Sequence, residues 1–168
     1  MDTKIPEIRI AVTGGRDFNN TQLVNDVFHE IAKIAWSVTL IHGAARGLDT
    51  IAKQEAEKRF WAIRPYPVTS DEWKLIGRRA GPLRNRKMLA DSNPHILLSF
   101  PGGSGTSDCI KAALEMHIPV ECFYDAPKLT LYAKIDQAIS AICQRLDAER
   151  NENISKKDLT SNKNPVES

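Results

Sequence analysis

A chain of 168 residues is long enough for one domain with its own core, and its 42% hydrophobic and 26% charged residues are those of an ordinary globular protein. A net charge of +2 is too small to argue for nucleic acid from bulk electrostatics, so any basic patch has to be local. The cysteines Cys109, Cys122 and Cys143 form no CxxC pair, which leaves neither a disulfide framework nor a zinc site. With no apolar run fit to span a bilayer, and no apolar signal stretch in Met1–Pro6, the expectation is a cytoplasmic protein without membrane partner, metal or cofactor.

Strand and helix patterns then alternate along the chain. Glu7–Val12 reads as a first strand, stopping at Thr13-Gly14-Gly15, and Val24, Val27, Phe28, Ile31 and Ile34 follow at helical spacing. Ser37–Ile41 is a second strand ending at His42-Gly43. A second helix begins near Leu48, with Ile51, Ala52, Ala56 and Phe60 on one face. Trp61–Tyr66 reads as a third strand with Pro65 near its far end, where proline fits an edge best. Pro67–Gly81 carries no regular pattern. Pro82 is placed to open a helix reaching about Ser92. His95–Phe100 is almost wholly apolar, as a strand buried on both faces should be. A helix over about 105–117, a strand over 118–123 and a last amphipathic helix carrying Leu131, Ile135, Ala138, Ile139, Ile142 and Leu146 complete the pattern. The expected fold is α/β: a Rossmann-like, doubly wound, mainly parallel sheet with helices on both faces, over residues 1–148. Residues 149–168 are polar and read as a disordered tail.

Three of the strands end in glycine-containing turns: Thr13-Gly14-Gly15-Arg16, His42-Gly43-Ala44-Ala45-Arg46-Gly47 and Pro101-Gly102-Gly103-Ser104-Gly105-Thr106. In a parallel sheet all three lie on the carboxyl edge, where ligands bind near the point at which strand order reverses. Each turn feeds a helix whose first N–H groups lack partners and attract anions, and glycine lets a ligand approach the backbone closely. Arg16 and Arg46 add positive charge. The expectation is an anionic ligand held by Gly14, Gly15, Arg16, Gly43, Arg46, Gly47, Asp49 and the Pro101–Thr106 loop. Neither GxxxxGK[ST] nor GxGxxG is present, which takes support from ATP hydrolysis and from NAD-dependent hydride transfer.

The second informative stretch is Gly77–Leu89, GRRAGPLRNRKML. On a helix from Pro82, Arg86 stands three or four residues from Leu83, Leu89 and Ala90, on or beside the apolar face. A guanidinium there needs an anion or a carboxylate, so it either clamps a ligand phosphate or pairs with Asp49 or Asp108. Asn85 is expected in the same site. Trp73 either stacks on a base or covers the core. Asp49, in the first turn of the second helix, either steadies the helix dipole or bonds ribose hydroxyls, and Asp108 has the same two readings. Cys109, Ala112, Ala113 and Met116 form a helical stripe, which makes Cys109 a core residue, and His42 is read as structural.

The segments VTGGRDF (Val12–Phe18), IHGAARGLDTIA (Ile41–Ala52), GRRAGPLRNRKML and FPGGSGT (Phe100–Thr106), in this order, resemble the YspA-like branch of the SLOG superfamily. The resemblance covers about Arg9 to Val120. It implies a Rossmann-like fold and a nucleotide or nucleotide-derived, ADP-ribose-like ligand. Two relatives share pieces of the pattern. The Lonely guy phosphoribohydrolases carry an Arg-Lys pair and then PGGxGTxxE, to which Arg86-Lys87 and Pro101–Thr106 are similar, but Cys109 stands where their motif ends in an acidic residue. A thiol serves poorly to steady a ribosyl cation or position water. The DNA-uptake protein DprA carries a turn similar to Gly43–Asp49 and binds single-stranded DNA. For that role the chain offers Arg78, Arg79, Arg84, Arg86 and Lys87 beside Trp73.

The expected function is therefore binding of a nucleotide-type ligand by a sensor or sequestering protein. The first alternative is hydrolysis of a nucleoside 5'-monophosphate, with Arg86 on the phosphate and Asp108 or Asp49 as the acid. The second is binding of single-stranded nucleic acid. The dimeric Lonely guy relatives imply a homodimer, for which the 105–117 helix and the last helix offer amphipathic faces.

Overall fold

The structure is a computed structural model that describes residues 7–124 and 127–161, so the Met1–Pro6 reading and the end of the expected tail lie outside it. Among the described residues five strands form one sheet: β1 (Glu7–Thr13), β2 (Ser37–His42), β3 (Ala62–Pro65), β4 (Ile96–Ser99) and β5 (Val120–Cys122). Their order is β3-β2-β1-β4-β5 and every pairing is parallel. The doubly wound Rossmann-like expectation is met.

The helices are α1 (Thr21–Ile34), α2 (Leu48–Glu57), α3 (Ser70–Ile76), α4 (Ala80–Ser92), α5 (Ser104–Glu115) and α6 (Lys128–Ser161), with one 3₁₀ turn at Gly77–Arg79. Strand alternation divides the core between the two faces of the sheet. Ile8, Ile10, Val12, Leu40 and Leu98 pack with Val27, Phe28 and Ile31 of α1, Ala52 of α2, and Ile135 and Ile139 of α6. Ala11, Ile41 and Leu97 face the other way, onto Met88 and Leu89 of α4 and onto Cys109, Ala112 and Ala113 of α5. β1, β2 and β4 are buried on both faces, whereas β3 and β5 are edges, and Pro65 ends the exposed edge strand β3.

Strands β3, β4 and β5 are shorter than read, α2 ends at Glu57 and leaves Phe60 exposed, and three larger departures stand out. Pro67–Gly81 contains α3, closed by a capping box in which the Thr69 hydroxyl accepts from Glu72 N and the Glu72 carboxylate accepts from Thr69 N. α4 opens at Ala80 rather than Pro82, because a proline in the first turn still forfeits no helical bond. α6 runs to Ser161, well past the start of the expected tail at 149, carried by unbranched and charged residues that favour helix once a packed stretch has nucleated it. Among the described residues no helix is long and apolar enough to cross a membrane.

Candidate functional site

The order β3-β2-β1-β4-β5 puts the reversal of winding between β1 and β4, so a crevice opens beyond their carboxyl ends. The turns after these strands are fastened to each other by backbone. Phe100 N donates to Thr13 O at 2.9 Å, Gly15 N donates to Pro101 O at 2.9 Å, and Leu48 N, the first of α2, donates to Gly15 O at 3.2 Å. The three glycine turns thus meet in one place, and glycine is required where they touch. Gly47 has φ +77°, and a Cβ there would meet the Gly15 carbonyl. A Cβ on Gly102 would collide with the Thr106 hydroxyl and lie 2.7 Å from Gly15 N. α5 then starts after Gly103 with no side-chain cap and no acidic residue in its first turn, which leaves a positive dipole end facing the crevice.

The crevice is a cleft of about 1120 Å³. Of the expected site residues, Gly14, Gly15, Arg16, Gly43, Asp49, Trp73, Asn85, Asp108, Pro101, Gly102, Gly103, Ser104, Gly105 and Thr106 line it. The neighbours of each polar group set what it can do. Asp49 is 7% exposed and its Oδ2 accepts from Ala45 N at 3.0 Å, so it braces the second turn from within. Burial pushes its carboxyl above the ordinary carboxylate value, opposed by the Ala45 N–H and by the Arg84 and Arg16 charges. Asn85 donates to Gly105 O at 3.2 Å and to Asp108 Oδ2 at 3.3 Å, tying α4 to the start of α5 and turning the Asp108 carboxylate along the cleft wall.

Three expected residues are placed elsewhere. Arg86, the intended phosphate clamp and catalytic group, lies outside the cleft lining and pairs with Glu115 of α5 at 2.7 Å, on the flank where α4 and α5 run side by side. Its partner is neither Asp49 nor Asp108, because Glu115 sits at the far end of α5. The correction has a simple helical cause. Gly81, Pro82, Arg84, Asn85 and Met88 are the residues of α4 that line the cleft, and Arg86 falls beyond the edge of that face. Arg46 is an exposed rim residue paired with Asp17 at 3.2 Å, and Gly47 lies beneath the Gly15 carbonyl rather than on the cleft surface. Arg86 and Asp108, the two expected catalytic residues, therefore do not share the cleft.

Sequence reasoning assigned Arg84 to a surface basic cluster and missed its main role. The guanidinium donates to Gly43 O and, at 3.1 Å, to Tyr66 O, while its Nε donates to Asn85 Oδ1 at 3.2 Å. It is a strut between α4 and the ends of β2 and β3, and a Cβ on Gly43 would occupy the same space. Phe18, Leu23 and Phe123, which form an apolar wall, were also missed, since nothing in their local pattern separates a wall from a core.

Two titratable groups near the turns are held neutral at pH 7. Cys109 is fully buried, and burial pushes its thiol up to about 11, as its core stripe implied. His42, 3% exposed, accepts from Ala44 N at Nδ1 (3.1 Å) and is held neutral, its pKa lowered to about 4 by burial, then by Lys53 and Arg84. Ala44 itself takes φ +55°, so this hydrogen bond secures a strained turn. No group of residues suited to a metal ion occurs among the described residues.

Parallel order, switch-point cleft and glycine floor define a Rossmann-like α/β domain. The family model described as YspA, cpYpsA-related SLOG family matches residues 8–72. Gene 61 protein of Mycobacterium phage D29 is 33% identical over 128 residues, spanning 71% of this chain and 98% of the phage protein. The chain belongs to the YspA, cpYpsA-related SLOG family. Solved structures with this fold include DNA processing protein A (DprA) of Streptococcus pneumoniae, with a TM-score of 0.58 at 17% identity over 84% of this chain. That match spans only 56% of the pneumococcal protein. DprA of Helicobacter pylori, described for its single-stranded DNA binding mode, gives 0.57 at 17% identity, covering 88% of this chain and 85% of that one. The molybdenum cofactor carrier protein of Chlamydomonas reinhardtii gives 0.55 at 20% identity, covering 85% and 99%.

Proposed function

We propose that the cleft binds a nucleotide or a nucleotide-derived, ADP-ribose-like ligand, and that the protein senses or sequesters it in the cytoplasm rather than transforming it. The observation that carries this reading is the hydrogen-bonded junction of Gly15, Pro101 and Leu48, which presents the uncapped start of α5 to a cleft that also holds Asp49 and Trp73. The phosphate belongs at the Pro101–Thr106 turn, where backbone N–H groups and the helix dipole favour negative charge. Asp49, on the cleft lining, is the candidate partner for ribose hydroxyls in this reading. A carrier's role also agrees with the fold shared with the molybdenum cofactor carrier.

Hydrolysis of a nucleoside monophosphate has less support, because Arg86 faces away and Cys109 is a buried neutral thiol. Binding of single-stranded DNA, for which the Helicobacter relative is described, keeps one supporting observation: Arg78 and Trp73 both line the cleft. A homodimer, implied by resemblance, has exposed Leu114 of α5 as its natural contact, and light scattering tests it.

Thermal denaturation with AMP, ADP-ribose and NAD tests the main reading. A ligand at one hundred times its Kd adds about 2.7 kcal/mol to stability, enough to raise Tm by several degrees. Indifference to all three sinks the reading. An oligonucleotide whose binding weakens steeply with salt, with no response to the small ligands, replaces it with the DNA reading.

A further inference from the structure

Trp73 and Arg16 come from different parts of the chain and meet across the cleft, the Arg16 guanidinium carbon lying 5.5 Å from the Trp73 ring centroid. Both line the cleft. Arg16 belongs to the hydrogen-bonded glycine floor. Trp73 belongs to α3, which buries none of its residues, is closed by its own Thr69–Glu72 capping box and packs chiefly on the 3₁₀ turn and α4 rather than on the sheet. Its C-terminal junction, Gly77, has φ +55° and open space around its α-carbon. The Trp73 side chain is nevertheless held to 37% exposure, far below the 84% of Leu75 two residues on. Part of what covers its indole is therefore the Arg16 guanidinium.

An indole face that carries a guanidinium is a face on which a flat heterocycle can lie instead. Cation–π contact at an exposed site is weaker than stacking of a base on an aromatic ring, so a base displaces the cation. The displaced Arg16 stays in the first glycine turn, next to the Pro101–Thr106 loop, where a phosphate on the same ligand attracts it.

Building on the nucleotide reading, we propose that the Arg16–Trp73 pair selects ligands that carry both an aromatic base and a phosphate: the base takes the Trp73 face and the released Arg16 joins the phosphate. Sugar phosphates, lacking the ring, leave the pair intact and gain neither contact. The exchange makes Trp73 the specificity-determining residue of the cleft and α3 the element that reports occupancy.

The test uses the full chain with Trp36→Phe and Trp61→Phe, so that Trp73 is the one indole, and titrates AMP, ribose 5-phosphate and adenosine. AMP is expected to quench Trp73 fluorescence and ribose 5-phosphate to bind without quenching. Trp73→Leu, which keeps bulk and removes the π face, is expected to weaken AMP about tenfold without weakening ribose 5-phosphate, with Trp73→Phe restoring part of the loss. Arg16→Ala is expected to weaken AMP while tightening adenosine, because the competing cation is gone. Equal loss for AMP and ribose 5-phosphate in Trp73→Leu, or adenosine weakened by Arg16→Ala, overturns the exchange and leaves the ligand reading standing. No binding of any probe to the wild-type chain overturns both.

Discussion

The two walls of the cleft are built in opposite ways. The floor, made of the turns after β1, β2 and β4, is backbone bonded to backbone, with glycines where atoms meet and Asp49 and Arg84 as internal braces. The rim, made of α3 and the 3₁₀ turn, buries no side chain and touches the floor through the Trp73 ring over Arg16. A stiff floor fixes where an anion sits, because its donors are main-chain groups that cannot turn away. A light rim can change partner at little cost. The contrast teaches that anion position and ring selectivity are carried by separate parts of one site.

Substitutions in the floor should register as stability, and the largest effect is expected at Gly47. Gly47→Val puts a β-branched side chain at φ +77° against the Gly15 carbonyl, and a loss of about 4 kcal/mol is expected by urea denaturation. A loss under 1 kcal/mol means that the turn relaxes and the floor is softer than described.

The next effect is set by pH. His42 has a folded pKa of about 4, below its ordinary 6.5, so the unfolded chain binds the proton more tightly. Its contribution is fully present above about pH 6.5 and is lost as pH falls toward 4, up to about 3 kcal/mol. His95, also lowered to about 4 by burial and then by Arg9 and Arg145, adds to the wild-type slope. The stability difference between wild type and His42→Asn isolates the first term. A difference that stays flat from pH 7 to pH 4 removes His42 from the brace.

Arg84→Leu leaves the Gly43 and Tyr66 carbonyls without this donor, and a loss of about 2 kcal/mol is expected, together with weaker ligand binding through a displaced second turn. Unchanged melting would make Arg84 a ligand contact instead of a strut. Smallest of all is Arg86→Ala. The Arg86–Glu115 pair is exposed at both ends, so neither melting temperature nor AMP affinity is expected to change. Loss of phosphate-dependent binding would return Arg86 to the site.

The fold was legible because its evidence is repeated: strands of three to seven residues alternating with helices admit little besides a parallel sheet. The floor was legible for a related reason, since glycines clustered after strands have few other uses. The helical face of Arg86 was not, because the start of α4 decides it. With Ala80 as the first residue, Arg84 and Asn85 face the cleft, and a one-residue rotation of about 100° separates a site residue from a flank residue. α3 was overlooked although Thr69-Ser70-Asp71-Glu72 spells a capping box, because no apolar stripe follows it. The extension of α6 past residue 149 was hidden for the converse reason: polar composition describes a solvated helix as well as a tail.

β1 pairs with β2 on one side and β4 on the other. During synthesis, β1, β2 and β3 emerge first, and 30 residues separate the end of β3 from the start of β4. Until β4 arrives, the half-made sheet ends in β1, an apolar strand with an unpaired row of main-chain groups, the type of edge that recruits other chains. A product truncated after residue 72, the limit of the family match, would be left in that state permanently and would accumulate as aggregate rather than as a smaller domain.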